Sequence, residues 1–168
     1  FTHEEWVEPE DYEIFDTIIT DGVPKHKRAK LWALDKTPYD LTLYVDCDTE
    51  IEHEDIRTVF DLIPEDIDIL FTANRPYNAA LTKLSETEEM TEHCGLFLYR
   101  NNERTLNLMK AWWGEYLKQN EPDYDMLHYP PSAKQWDTFT MWRLLTFGNT
   151  GVKAGRFPEP DARWNFIT

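Results

Sequence analysis

The chain has 168 residues, of which 41% are hydrophobic and 14% aromatic, a composition typical of a globular domain with its own core. Its formal net charge of −15 argues against nucleic acid and against an anionic membrane surface as partners. No apolar run reaches membrane-spanning length, and the only two cysteines, Cys47 and Cys94, are far apart and fit reduced thiols. We therefore predict a single cytoplasmic domain over residues 1–168.

Apolar runs and amphipathic segments alternate along the chain. Runs rich in apolar and β-branched residues predict strands at residues 14–20, 41–45, 68–73 and 95–99. Helical spacing of apolar residues predicts helices at residues 25–34, 53–63, 103–118 and 135–145. This alternation indicates an α/β domain with a mainly parallel sheet. In such sheets, ligands bind outside the carboxyl ends of the strands.

Two aspartates, Asp46 and Asp48, directly follow the predicted strand at residues 41–45. Alternate residues of an extended chain point to the same side, so the two carboxylates can converge. Two close carboxylates repel each other unless a cation lies between them, and a hard divalent cation suits oxygen ligands. We predict that Asp46 and Asp48 bind Mn²⁺ or Mg²⁺, with open positions for diphosphate oxygens. The structural alternative is a surface turn capped by two aspartates.

A basic segment lies just upstream of this pair. Four cations fall within six residues: Lys25, Lys27, Arg28 and Lys30. Arg28 and Lys30 lie nearest the predicted buried face of the helix, so we expect these two to contact phosphate oxygens. The alternative is a solvated helix face, which must hold for some of the four.

Four segments resemble the nucleotide-sugar transferases of the GT-A fold. Residues 29–51, AKLWALDKTPYDLTLYVDCDTEI, resemble the lysine-bearing helix and the strand that ends in a DxD motif in that family. Later segments of the family are similar to EHCGLFLYRNN, QWDTFTMWRLL and PDARWNF, at residues 92–102, 135–145 and 160–166. The resemblance extends from about residue 14 to the end of the chain.

The resemblance implies a Rossmann-like α/β/α sandwich and a metal-dependent glycosyltransferase. Such an enzyme moves a sugar from a nucleoside diphosphate sugar to an acceptor, which here could be a saccharide, a lipid or a protein. Only one strand fits before the basic helix, so we expect the first strand–helix unit of the fold to be missing and the chain to be truncated.

The resemblance also implies roles for individual residues. Asp46 would face the nucleotide ribose and the metal, and Asp48 would hold the metal. Asp137 lies where such enzymes often place a carboxylate near the acceptor, as a base or to orient the acceptor hydroxyl. An acid that merely favours the dipole of a helix in its first turn is the equal alternative for Asp137.

Four further residues are candidates for donor binding. Cys94 and Gly95 could lie at the sugar site, because glycine permits close approach, although plain strand packing explains them equally. His93 is a less specific candidate at the same place. Arg75, just after the strand at residues 68–73, could reach a sugar or a phosphate.

Two other functions remain open. A phosphatase of the haloacid dehalogenase type also carries Asp-x-Asp after a strand; Asp46 would then be a nucleophile, and Lys153 is an available lysine. The second alternative is a catalytically inactive remnant of the transferase fold that binds a nucleotide sugar or a carbohydrate.

Overall fold

The computed structural model describes residues 1–51, 53–74 and 83–158. In these ranges a mixed sheet has the order β1-β3-β2-β4. Its strands are β1 (Leu41–Val45), β2 (Ile69–Ala73), β3 (Glu92–Arg100) and β4 (Ala154–Arg156). The α-helices are α1 (Asp11–Ile14), α2 (Ala29–Ala33), α3 (Glu103–Gln119) and α4 (Asp137–Phe147). Segments of 3₁₀ helix occur at Glu4–Trp6, Leu34–Lys36, Glu54–Leu62 and Pro131–Gln135.

The sheet confirms an α/β architecture, but the prediction of a mainly parallel sheet is wrong. Strand β3 runs antiparallel to both β1 and β2, and only β2 and β4 are parallel. A parallel return needs a crossover, usually a helix, and the described part of the connection from β2 to β3 contains none. Instead, Asn74 at the end of β2 bonds to the returning chain: its N–H donates to the Thr91 carbonyl at 2.9 Å, and its Nδ2 donates to the Glu92 carbonyl at 2.9 Å.

The strand predicted at residues 14–20 is also wrong. Helix α1 ends at Ile14, and residues 15–20 are irregular. Ile14 and Phe15 are 73% and 58% exposed, so the start of this segment contributes nothing to the core. β-Branched residues form a strand where a neighbouring strand pairs with them, and none of the described strands pairs with residues 14–20.

The predicted helix bounds agree best with the structure for the longest helix. Helix α3 covers the predicted residues 103–118, and Asn102 caps it by accepting a hydrogen bond from the Thr105 N–H at 3.0 Å. Helix α4 begins two residues later than predicted, whereas residues 25–34 form only the short α2 and the start of a 3₁₀ turn. In place of the helix predicted at residues 53–63, Glu54–Leu62 forms a 3₁₀ helix. Nowhere in the described ranges is a helix long and apolar enough to cross a bilayer.

Strand alternation divides the core between the two faces of the sheet. Phe71, Phe97 and Tyr99 face α3 and pack against Leu108 and Trp112. On the other face, a second cluster packs the sheet against the 3₁₀ helix Glu54–Leu62. This cluster contains Val59, Ile63, Leu70, Leu96, Leu98 and Phe157. The sheet is therefore the middle layer. Because β1 and β2 both run antiparallel to β3, the carboxyl ends of β1 and β2 and the amino end of β3 lie along the same side of the sheet. We call this side, at which the strands begin or end, an edge of the sheet.

The opposite edge is held by a buried carboxylate, Asp68, whose side chain is 3% exposed. Arg104 binds it through two nitrogens, Nη2 at 2.6 Å and Nε at 3.0 Å. Asn102 Nδ2 and the Lys153 N–H donate to it at 2.8 and 2.9 Å. These bonds join the beginnings of β2, α3 and β4. The hydrogen bonds from Arg104 in particular lower the pKa of Asp68 to about 2.

Asp68→Asn should lower the free energy of unfolding by about 2 kcal/mol at pH 7, because the charged form of the carboxylate is what these donors stabilise. A lowered pKa contributes stability above the ordinary value of 3.8 and loses it as the pH falls towards 2. Urea unfolding at several pH values should therefore show the difference from wild type shrinking between pH 4 and pH 2. Asp66→Asn, at an exposed acid two residues away, is the control, and an equal effect of both changes would contradict this account.

Candidate functional site

The candidate site lies at the sheet edge where β1 ends. The Asp46 N–H donates to the Gly95 carbonyl at 2.8 Å and so continues the ladder between β1 and β3 by one residue. This bond fixes the backbone from which the Asp46 carboxylate projects. Asp46 Oδ1 accepts a hydrogen bond from Lys30 Nζ at 2.7 Å and another from the Tyr44 hydroxyl.

Lys30, on α2, bridges two carboxylates. Its Nζ also lies 3.1 Å from Oδ2 of Asp137, the first residue of α4. The Lys30 and Asp137 side chains are only 16% and 9% exposed, and the Asp46 side chain is 28% exposed. Burial alone would lower the pKa of Lys30, but the carboxylates of Asp137 and Asp46 outweigh it and raise that pKa above its ordinary value. The ammonium is therefore charged at neutral pH.

Asp137 has a second cationic neighbour in Arg28, whose Nη1 lies 3.6 Å from the same Oδ2. The Thr138 N–H donates to Oδ1 at 3.0 Å, and the indole N–H of Trp112 donates to the Asp137 carbonyl at 2.8 Å. Although Oδ2 is buried within ion-pair distance of Lys30, no donor among the described residues is well directed for a hydrogen bond to it. The Nε of Arg28 is likewise buried without a partner in the described ranges. Two polar atoms at this edge are thus incompletely satisfied.

A bulge in β3 shapes the wall beside Asp46. Phe71 pairs with Phe97, but the next residue, Thr72, pairs with His93, so one step along β2 corresponds to four along β3. Bulges of this kind re-aim side chains next to functional sites. The Gly95 N–H donates to Nδ1 of His93 at 3.2 Å. A Cβ at Gly95 would lie 2.5 Å from Cε1 of His93 and 3.3 Å from Oδ2 of Asp46, so glycine makes room for both side chains.

His93 is neutral at pH 7. Burial lowers its pKa below the ordinary value and the Lys30 ammonium adds to this, whereas the carboxylates of Asp46, Asp137 and Asp48 oppose the shift. Since its Nδ1 accepts a hydrogen bond, the ring proton of the neutral form is on Nε2.

The structure brings together five of the residues that the sequence analysis singled out: Arg28, Lys30, Asp46, Gly95 and Asp137. Asp48 lies in the exposed turn after β1, close enough to influence His93. Cys94 is buried in the core cluster with Phe97 and Trp112, and burial raises the pKa of its thiol. Arg75 and residues 160–166 lie outside the described residues.

The sequence analysis missed two features of the candidate site. Tyr44 was missed, although it is two residues before Asp46 and strand alternation places both side chains on one face. Direct contact between Lys30 and Asp137 was also missed, because nothing local links positions so far apart. Lys153 lies beside Asp68 at the opposite edge, so Lys30, and not Lys153, is the lysine that contacts Asp46.

The donor set can be compared with what a divalent cation needs. Within the described part of the chain, no group of three or more His, Cys, Asp or Glu side chains is arranged to hold a metal ion. Mg²⁺ and its analogues, however, commonly bind through one or two carboxylates and complete their shell with substrate phosphates and water. Two side chains are of the type that such a partial site uses: the exposed carboxylate of Asp48, and the carboxylate of Asp46, whose hydrogen bonds from Lys30 and Tyr44 go to Oδ1 and not to Oδ2.

Comparisons with protein-family models, with curated proteins and with solved structures found no match to this chain.

Lys30→Met should lower the free energy of unfolding by about 3 kcal/mol, because it leaves two carboxylates, one of them buried, without their shared cation. Urea unfolding at pH 7 measures the effect. Lys27→Met, at an exposed lysine of the same segment, is the control and should be close to neutral. Equal midpoints for the two variants would show that the Lys30 bridge contributes nothing.

Adding Asp137→Asn to Lys30→Met should restore part of that loss, since it removes the buried charge that Lys30 no longer balances. A double-mutant cycle built from the two single variants and the double variant measures the coupling directly. Strictly additive losses would mean that the two side chains do not interact in solution.

Proposed function

We propose that this chain is a metal-dependent glycosyltransferase domain that takes its sugar from a nucleoside diphosphate sugar. The observation that carries the proposal is the cluster of Lys30, Arg28, Asp46 and Asp137 at the end of β1, with the exposed acid Asp48 in the turn that follows. A carboxylate pair for a divalent cation, next to lysine and arginine donors for phosphate oxygens, is what binding of a metal-bound diphosphate requires.

In this proposal a bound Mn²⁺ or Mg²⁺ supplies Lewis-acid stabilisation of the diphosphate leaving group. Asp48 and Oδ2 of Asp46 would hold it. Tyr44 and Lys30 orient the Asp46 carboxylate through Oδ1, so Oδ2 is the oxygen that the proposal assigns to the metal. Lys30 and Arg28 can then donate to the diphosphate oxygens, where negative charge develops as the glycosidic bond breaks.

The role of Asp137 as a base or as an orienting group for the acceptor remains part of this proposal. A base must come within hydrogen-bond reach of the acceptor hydroxyl. Because Oδ2 of Asp137 is buried against Lys30 and Arg28, that role requires the two cations to move towards the diphosphate first. Cys94 would act on the sugar site only through its backbone, since its side chain points into the core.

Calorimetry with Mn²⁺ and uridine or guanosine diphosphate tests the donor site. Wild type should bind at least one of the two nucleotides, and Asp48→Ala should weaken that binding by about 2 kcal/mol or more, the usual cost of losing a charged contact at such a site. Glu50→Ala, at the neighbouring exposed acid, is the matched control and should bind like wild type. If wild type and Asp48→Ala give identical isotherms, the donor-site assignment fails.

The two other candidate functions are separate outcomes of related assays. Metal-dependent nucleotide binding without turnover of any nucleotide sugar would favour a binding remnant of the transferase fold. Trapping of a phosphoaspartate on Asp46 would favour the phosphatase, in which that carboxylate attacks phosphorus.

A further inference from the structure

The candidate site is close to electrically neutral before any ligand binds. Lys30 and Arg28 contribute two positive charges, and Asp46 and Asp137 contribute two negative charges in direct contact with them. The exposed carboxylate of Asp48 adds one further negative charge. A diphosphate that reaches this edge without a metal therefore meets no excess of positive charge, although two cations lie there.

We propose that Asp137 is a counter-ion that keeps Lys30 and Arg28 from binding phosphate until a divalent cation has bound. This inference rests on the function proposed above and assigns its regulation to one residue. The carboxylate of Asp137 competes with phosphate oxygens for the same two donors. Both ligands are oxygen anions, but Asp137 is already in place and pays no entropic cost of association.

The geometry of Asp137 favours this role over a purely structural one. A structural buried carboxylate is normally fully hydrogen-bonded, as Asp68 is by Arg104, Asn102 and the Lys153 N–H. Oδ2 of Asp137 instead faces two cations without a well-directed donor in the described chain. Such a contact is an ion pair without a well-aligned hydrogen bond, so an anion with better aligned oxygens can replace it.

A bound divalent cation changes the balance. If Asp48 and Asp46 held such a cation, its two positive charges would turn the small negative excess into a positive one and would favour a bound diphosphate. Lys30 and Arg28 can then exchange Asp137 for phosphate oxygens at little electrostatic cost. Anion binding at this site is thus coupled to metal binding, and Asp137 sets the strength of the coupling.

Titration with inorganic pyrophosphate tests the inference, first in EDTA and then in Mg²⁺ at concentrations below precipitation. In EDTA, wild type should bind pyrophosphate weakly, and Asp137→Asn should bind it about tenfold more tightly or better, since one of two counter-ions is gone. The asparagine is nearly isosteric and keeps a carbonyl oxygen for the Thr138 N–H. Asp123→Asn changes the net charge equally at an exposed residue remote in sequence and should behave as wild type.

Each outcome separates this inference from the proposed function. If wild type and Asp137→Asn bind pyrophosphate equally in EDTA, the counter-ion role is wrong, whatever happens in Mg²⁺. If neither binds in Mg²⁺, the proposed function fails as well. Gain of metal-free binding by Asp137→Asn, together with metal-dependent binding by wild type, supports both.

A thermal melt shows whether Asp137→Asn is folded. Should it unfold, Asp46→Asn serves in its place for the EDTA titration, because it removes the other counter-ion of Lys30 and needs no metal there. The same gain in pyrophosphate affinity is expected. Affinity in EDTA equal to that of wild type would again overturn the counter-ion role.

Discussion

The shared ion pair of the Lys30 ammonium with the carboxylates of Asp46 and Asp137 ties together the elements around the candidate site. It joins helix α2, the end of strand β1 and the first turn of helix α4. Two acids this close would repel each other, and one of them is buried, so the arrangement depends on the cation between them. The short helix α2 is positioned by this contact and by the burial of Leu31 and Leu34.

The two ends of the sheet use buried charge differently. At the end where β2, α3 and β4 begin, the Asp68 carboxylate accepts hydrogen bonds from Arg104, Asn102 and a backbone N–H, and these bonds join the three elements. At the carboxyl end of β1, Asp137 and Arg28 each retain a buried polar atom without a directed partner in the described chain. The fully hydrogen-bonded carboxylate thus lies at one edge, and the incompletely satisfied groups Asp137 and Arg28 lie at the other, where a ligand could complete their hydrogen bonds.

The sequence predicted which residues lie near the end of β1 better than it predicted the pairing of the strands. Local patterns placed Asp46 at a strand end and Arg28 and Lys30 on the segment before it, because strand alternation and charge clustering act over a few residues. They did not predict that β3 returns antiparallel to β2, because strand pairing depends on contacts between segments far apart in the sequence. Nor did they predict the bulge at Thr72 and His93, or the contact of Lys30 with Asp137, since both depend on packing between distant segments. The strand predicted at residues 14–20 is wrong for the same reason. A strand needs a neighbouring strand to pair with, and the β-propensity of a segment does not show whether one is present.

The most direct test of the account is a crystal structure of the protein soaked with Mn²⁺ and uridine or guanosine diphosphate, with anomalous data to locate the metal. The account predicts Mn²⁺ bound by Asp48 and by Oδ2 of Asp46, with diphosphate oxygens as further ligands. It also predicts that Lys30 or Arg28 has left Asp137 for the diphosphate. Metal and nucleotide bound away from the end of β1, or a diphosphate bound there with no metal beside it, would contradict it.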